Sequence, residues 1–125
     1  PYKISSKNIE KNNSDGMVIE FPLLVTNFLG KKIPAAGGFY LRSLPTKITK
    51  NAIKNYEKQG IPASFYVHSW ELTPEYMPKL DLPFKDNFAT FHNINDTYKR
   101  MNDILEEFEF TSFANYISQG VNLSN

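Results

Sequence analysis

The residues best suited to chemistry cluster in Phe65-Tyr66-Val67-His68-Ser69-Trp70-Glu71. Imidazole trades a proton near neutral pH, so His68 can act as a general acid or base. Strand alternation sets Tyr66 and His68 on one face and Phe65 and Val67 on the other. His68 then falls where a strand gives way to a loop, and parallel α/β folds build their sites at the C-terminal strand ends. The same position also suits a histidine that only hydrogen-bonds a loop. Trp70 offers a face for stacking on a sugar ring or for packing at a rim. Glu71 reads either as a group that orients His68 or a substrate, or as a solvated loop carboxylate.

A second segment is Gly37-Gly38-Phe39-Tyr40-Leu41-Arg42. Paired glycines permit positive φ and close backbone approach. The spacing matches no dinucleotide fingerprint and no P-loop lysine follows, which disfavours phosphate binding. Arg42 is one of two arginines in the chain. Its rigid guanidinium suits a catalytic carboxylate, a substrate anion or a structural ion pair equally well. Tyr40 adds a further stacking surface. His92 lies among the asparagines and Asp96 of a turn and reads as a surface histidine. His68, His92 and a carboxylate lack the close spacing of metal ligands, so no metal set is read in this chain.

The elements that must position these groups follow from periodicity. Residues 1–16 are polar and read as a lead-in segment, leaving residues 17–125 as one domain. The run 17–25 reads as a strand covered on both faces and ended or bent by Pro22. Residues 30–45 are loop-rich, with a short strand over Phe39–Arg42. A helix opens at Pro45 or Thr46, buries Ile48, Ala52, Ile53 and Tyr56, and stops at Gly60. Its lysines 47, 50, 54 and 58 read as a solvated face. Residues 63–70 form the second good strand, and prolines 74, 78 and 83 make 73–86 a long loop. A second main helix fits 96–107 with Asn95 as cap and Tyr98, Met101, Ile104 and Leu105 buried. Residues 108–111 form a last strand and 112–117 closing helical turns. Strands alternating with helices imply an α/β fold with a largely parallel small sheet.

Composition narrows the function classes. The chain has 125 residues and is 41% hydrophobic, without cysteine, which excludes disulfide frameworks and thiol chemistry. Two histidines exclude an all-histidine metal site. Fourteen Lys+Arg against thirteen Asp+Glu leave +1, giving no electrostatic footprint for nucleic acid. No apolar run approaches the roughly 20 residues of a membrane span, so no span is expected. The sequence opens on Pro1 rather than methionine, which reads as a processed chain or a piece of a longer one.

Three segments together carry a resemblance. Gly37-Gly38-Phe39-Tyr40-Leu41-Arg42-Ser43-Leu44-Pro45 resembles the GGGYFRLLP signature near the C-terminus of a branch of NodB-type polysaccharide deacetylases. Phe65–Glu71 is similar to that branch's FYFHPWE, and Phe91–Thr97 with Phe108-Glu109-Phe110 resembles its closing element. Ile19-Glu20-Phe21-Pro22 is similar to a Glu-x-Pro stretch upstream of the glycines. The set runs in order from about residue 17 onward. The resemblance implies the C-terminal portion of a distorted (β/α) barrel in a metal-dependent amino-sugar de-N-acetylase. It implies a general-acid role for His68, a bracing role for Arg42, and substrate contacts from Trp70, Glu71 and Tyr40. Phe39, Ser43 and Ser69 depart from the motifs, and Ser69 stands where a proline would restrict the backbone after the histidine. The family's Thr-Phe-Asp motif and its His-rich motif are absent. The expected divalent metal, zinc or similar, and the N-terminal catalytic part then belong to a longer parent polypeptide, and this chain alone is expected to be inactive. The alternative is a non-catalytic carbohydrate-binding or interaction module that stacks sugars on Trp70, Tyr66 and Tyr40. A second copy of the chain is a further expected partner, covering an exposed sheet edge.

Overall fold

The computed structural model describes residues 1–5, 7, 9 and 15–120. In chain order the elements are β1 (Tyr2–Ile4), β2 (Val18–Glu20), β3 (Val25–Phe28), β4 (Lys31–Pro34), α1 (Gly38–Ser43), α2 (Thr46–Lys58), α3 (Ser69–Leu72), α4 (Phe84–Phe91), α5 (Thr97–Leu105) and α6 (Phe113–Ser118). Short 3-10 turns at Pro74–Tyr76 and Ile94–Asp96 lead into the loop before α4 and into α5. They fall into two compact units, Pro1–Pro22 with the chain from Glu109 onward, and Leu23–Phe108.

In the first unit β1 pairs antiparallel with β2, with Tyr2 opposite Glu20 and Ile4 opposite Val18. The lead-in expected over 1–16 thus opens with a paired strand, while its residues 6, 8 and 10–14 lie outside the described ones. Ser112 caps α6 by accepting the Asn115 N–H at 3.1 Å. Phe113 stacks on Phe21 with centroids 4.4 Å apart, and Tyr116 meets the same ring edge-on.

The second unit holds the core: Leu24, Ala35, Ala36, Leu41, Leu44, Ala52, Ile53, Ile104 and Phe108. β3 and β4 form a hairpin in which Phe28 faces Lys31. Leu29 and Gly30 make its two-residue turn with positive φ at both positions, the twist that matches paired strands. α2 lays Thr49, Ala52 and Ile53 on the core, flanked by the partly buried Ile48 and Tyr56. It ends in a Schellman arrangement at Gly60 (φ 68°), where the N–H groups of Gly60 and Ile61 donate to the carbonyls of Glu57 and Tyr56. The Tyr56 hydroxyl accepts the N–H of Val25, tying α2 to the hairpin. Two of the four lysines of α2 are engaged. Lys50 and Lys54 reach Glu107 at 2.6 and 2.7 Å, and together hold its carboxyl below the usual range.

The fold is α/β, but the expected parallel sheet is absent among the described residues. Both sheets are two-stranded and antiparallel, and the parallel contact is a single bridge between Leu23 and Ser64. The described residues form no barrel. The reason lies in where the β-rich runs spend their backbone groups. Ser64 accepts from Leu24 and Tyr66 from Gly38, after which Ser69 turns into helix. Phe39–Arg42 is helical rather than extended, because the positive φ of Gly37 and Gly38 reverses the chain and starts α1. Residues 108–111 form no strand, and Phe108 instead buries its ring in the core. In α5, Ile104 is fully buried and Met101 packs against the core, whereas Tyr98 and Leu105 point to solvent.

Candidate functional site: a buried arginine–glutamate pair behind His68

Gly37 and Gly38 bring the two chemistry-bearing segments together. Gly37 adopts φ 91° and ψ 161°, a region open essentially to glycine alone. A Cβ there would lie 1.7 Å from the Tyr66 carbonyl oxygen. That carbonyl accepts the Gly38 N–H at 3.1 Å. The 65–68 segment is therefore held directly against the start of α1, and one turn later α1 delivers Arg42.

Arg42 and Glu71 are the buried charges of the unit, at 2% and 1% exposure. Arg42 Nε lies 3.2 Å from Glu71 Oε1. Its N–H is aligned instead with the Gly38 carbonyl at 3.4 Å, so Oε1 pairs by charge and accepts no hydrogen bond. The terminal nitrogens donate to the carbonyls of Thr90 (2.9 Å), His92 (2.8 Å) and Ala89 (3.1 Å). These lie at the C-terminal end of α4, where orphan carbonyls and the helix dipole favour a cation. Burial draws the guanidinium below its ordinary pKa, and the adjacent Glu71 carboxylate opposes that shift. Arg42 thus fastens α4 and neutralises Glu71 at once.

The other oxygen of Glu71 serves His68. Oε2 accepts the His68 backbone N–H at 2.9 Å, the N-terminal carboxylate contact expected three residues into a helix. It also lies 3.0 Å from His68 Nδ1. An ionised carboxylate only accepts, so Nδ1 carries a proton and Nε2 is the nitrogen that faces away. Nε2 is hydrogen-bonded to the Tyr66 hydroxyl. Trp70 lies nearly parallel to the imidazole with centroids 5.2 Å apart, and the Tyr66 ring meets it edge-on at 4.6 Å. The arrangement Arg42–Glu71–His68–Tyr66 is a graded line. It runs from fully buried charge to a half-exposed tyrosine, with the His68 ring oriented by the line behind it.

His68, Arg42, Glu71 and Trp70 come together as one cluster. Tyr40 does not join it in the same way: it packs against the core and sets its edge on Phe39. His92 contributes its carbonyl rather than its ring, which stacks on Phe88 at 4.5 Å. No group of three His, Asp or Glu side chains able to hold a metal occurs among the described residues.

The model of a family described as Domain of unknown function (DUF3473) matches residues 2–118. The chain belongs to that family. No curated protein and no solved structure matches this DUF3473 chain.

Sequence reading overlooked Tyr66 as the partner of Nε2, and Asn93. Asn93 takes a left-handed conformation (φ 51°) at the end of α4 and donates to the Arg42 carbonyl at 3.3 Å. The signal for Tyr66 was its i,i+2 relation to His68 on one face. For Asn93 it was asparagine's tolerance of that backbone region. Helix α4 went unread because the prolines of 73–86 suggested a loop running through its start, and none of its residues is buried.

Proposed function

We propose that this DUF3473 chain is the C-terminal part of a polysaccharide de-N-acetylase acting on amino sugars, and that it supplies the general-acid side of the active site. The observation that carries this reading is the fixed imidazole. His68 is anchored through Nδ1 to a buried, charge-compensated carboxylate, and its second nitrogen, on the side away from Glu71, is hydrogen-bonded to the Tyr66 hydroxyl. The ordered motifs 37–45, 65–71 and 91–97 support it by their resemblance to NodB-type deacetylases.

Amide hydrolysis needs a proton delivered to the amine nitrogen as the tetrahedral intermediate collapses. His68, cationic at that moment, would be stabilised by Glu71 behind it. Arg42 is then a positioning residue, since it touches Glu71 and helix carbonyls and stands behind the reacting atoms. Trp70 supports the imidazole face and offers its rim to a sugar. The described residues do not fit a catalytic zinc, which needs three protein ligands around an open position. Metal ligands and the base that activates water would come from the N-terminal part of the same polypeptide.

The test is acetate release from N-acetylated glucosamine oligomers. The full-length polypeptide that carries this chain is expected to release acetate, and the 125-residue chain with added Zn²⁺ is expected to release none. Turnover by the chain alone contradicts the reading, as does a full-length protein that binds metal but leaves every N-acetylated oligomer intact.

A further inference from the structure

The His68 nitrogen that faces away from Glu71 is not open. Tyr66 occupies it: the phenol is hydrogen-bonded to Nε2. The other ring nitrogen is committed to Glu71, and one ring face is covered by Trp70. Tyr66 is itself held from behind. Its carbonyl accepts the Gly38 N–H and is pressed against Gly37 so closely that no side chain fits there. Tyr66 is nonetheless 49% exposed as a residue. Tyr66 Oη therefore ends the line of ion-paired and hydrogen-bonded groups that runs from Arg42 through Glu71 and His68.

We propose that Tyr66 is the catalytic residue through which His68 meets its ligand, the phenol hydroxyl being the atom that touches the departing amine. The inference rests on the proposed function for the nature of the ligand. The proton count closes within the site. When His68 is cationic, Nε2–H donates to Tyr66 Oη, and the phenol proton points outward. As the C–N bond breaks, the amine nitrogen takes the phenol proton while Oη takes the proton from Nε2. The phenol ends neutral, and His68 ends as the Nδ1–H tautomer bonded to Glu71. The groups facing this relay are Glu71 and, behind it, Arg42.

Closure of Nε2 is measurable without any substrate. Diethyl pyrocarbonate acylates an imidazole nitrogen with a free lone pair, and the chain has two histidines, which peptide mass mapping separates. His68 should react slowly in the wild-type 125-residue chain. Tyr66→Phe should raise its rate roughly fivefold to tenfold, the effect of removing one hydrogen bond, with the His92 rate unchanged. Equal His68 rates in the two proteins overturn the proposal. If Tyr66→Phe fails to fold, which a changed His92 rate reveals, long-range ¹H–¹⁵N spectra of the wild-type ring decide. The Nδ1–H tautomer with Nε2 accepting a hydrogen bond is expected, and an unbonded Nε2 or the opposite tautomer overturns it.

In the full-length polypeptide, Tyr66→Phe should lower deacetylation roughly 10²-fold or more. It should match His68→Ala, with the double variant falling no further. Tyr66→Phe at wild-type activity overturns the relay. Failure of the proposed function has a different appearance: the wild-type full-length protein releases no acetate, while the acylation rates still decide whether Tyr66 closes Nε2.

Discussion

Replacing Arg42 by methionine isolates the energetics of the site. Methionine keeps most of the side-chain volume and removes the charge and every donor. Glu71, 1% exposed, is then left with its charge uncompensated, since Oε1 has Arg42 as its ion-pair partner and accepts no hydrogen bond. Removing one member of a buried ion pair costs about 3–5 kcal/mol. The carbonyls of Ala89, Thr90 and His92 also lose their donor, but these residues are exposed or partly so, and water substitutes. The expected loss is therefore about 4 kcal/mol, governed by the carboxylate. Against a total of roughly 5–15 kcal/mol for a domain of this size, that is a large fraction without being certain unfolding. Urea titrations followed by far-UV circular dichroism and by the fluorescence of Trp70 measure it as a shift in midpoint at constant slope. The companion Arg42→Met/Glu71→Leu removes both charges. It should recover about 2 kcal/mol or more of the loss, because the penalty belongs to the orphaned partner. A loss below about 1 kcal/mol for Arg42→Met, or strict additivity in the cycle, refutes the claim that Arg42 acts by neutralising Glu71.

Two other perturbations probe the supports of the site. Gly37→Ala should cost at least the ~1–3 kcal/mol of a residue forced into a glycine-only region. The added contact with the Tyr66 carbonyl raises the cost, while Gly30→Ala meets no neighbour and serves as the comparison for positive φ alone; equal urea midpoints for the two would contradict the close approach at Gly37. Glu107 has a folded-state pKa below its ordinary value because Lys50 and Lys54 hydrogen-bond it. Its contribution is present above the unfolded-state pKa and is lost as pH falls through the lower folded-state one. The stability gap between the wild type and Glu107→Gln should accordingly narrow on acidification below about pH 4; a gap that stays constant or widens contradicts the lysine clamp.

What the sequence disclosed depended on how local the determinants were. Helix α2 was readable from start to finish, because a proline, an apolar stripe and a glycine stop all act within one segment. The closing turns at 112–117 were likewise visible, and in the structure their cap, Ser112, is local as well. The sheet was not readable. Residues 63–70 are as rich in β-formers as any strand, yet pairing is decided by distant backbone groups, and Gly38 and Leu24 claim the carbonyls of Tyr66 and Ser64. Phe39–Arg42 failed for a related reason, since its helical conformation follows from the backbone of the two glycines before it. At the site, His68, Glu71, Trp70 and Arg42 could be named from their types and positions. Their connection could not. Arg42 meets Glu71 across 29 residues and the end of α4 across nearly 50, and no periodicity encodes either contact.

The central claim is that His68, held by Glu71 and Arg42, is the acid arm of an amide-hydrolysing site. The most direct measurement is steady-state deacetylation of N-acetylated glucosamine oligomers by the full-length polypeptide, comparing wild type with His68→Ala while metal content is measured on the same samples. The account predicts a fall in kcat of roughly 10²–10⁴-fold, the range for loss of a general acid, at unchanged metal content. An unchanged kcat, or a fall that tracks lost metal, would contradict it.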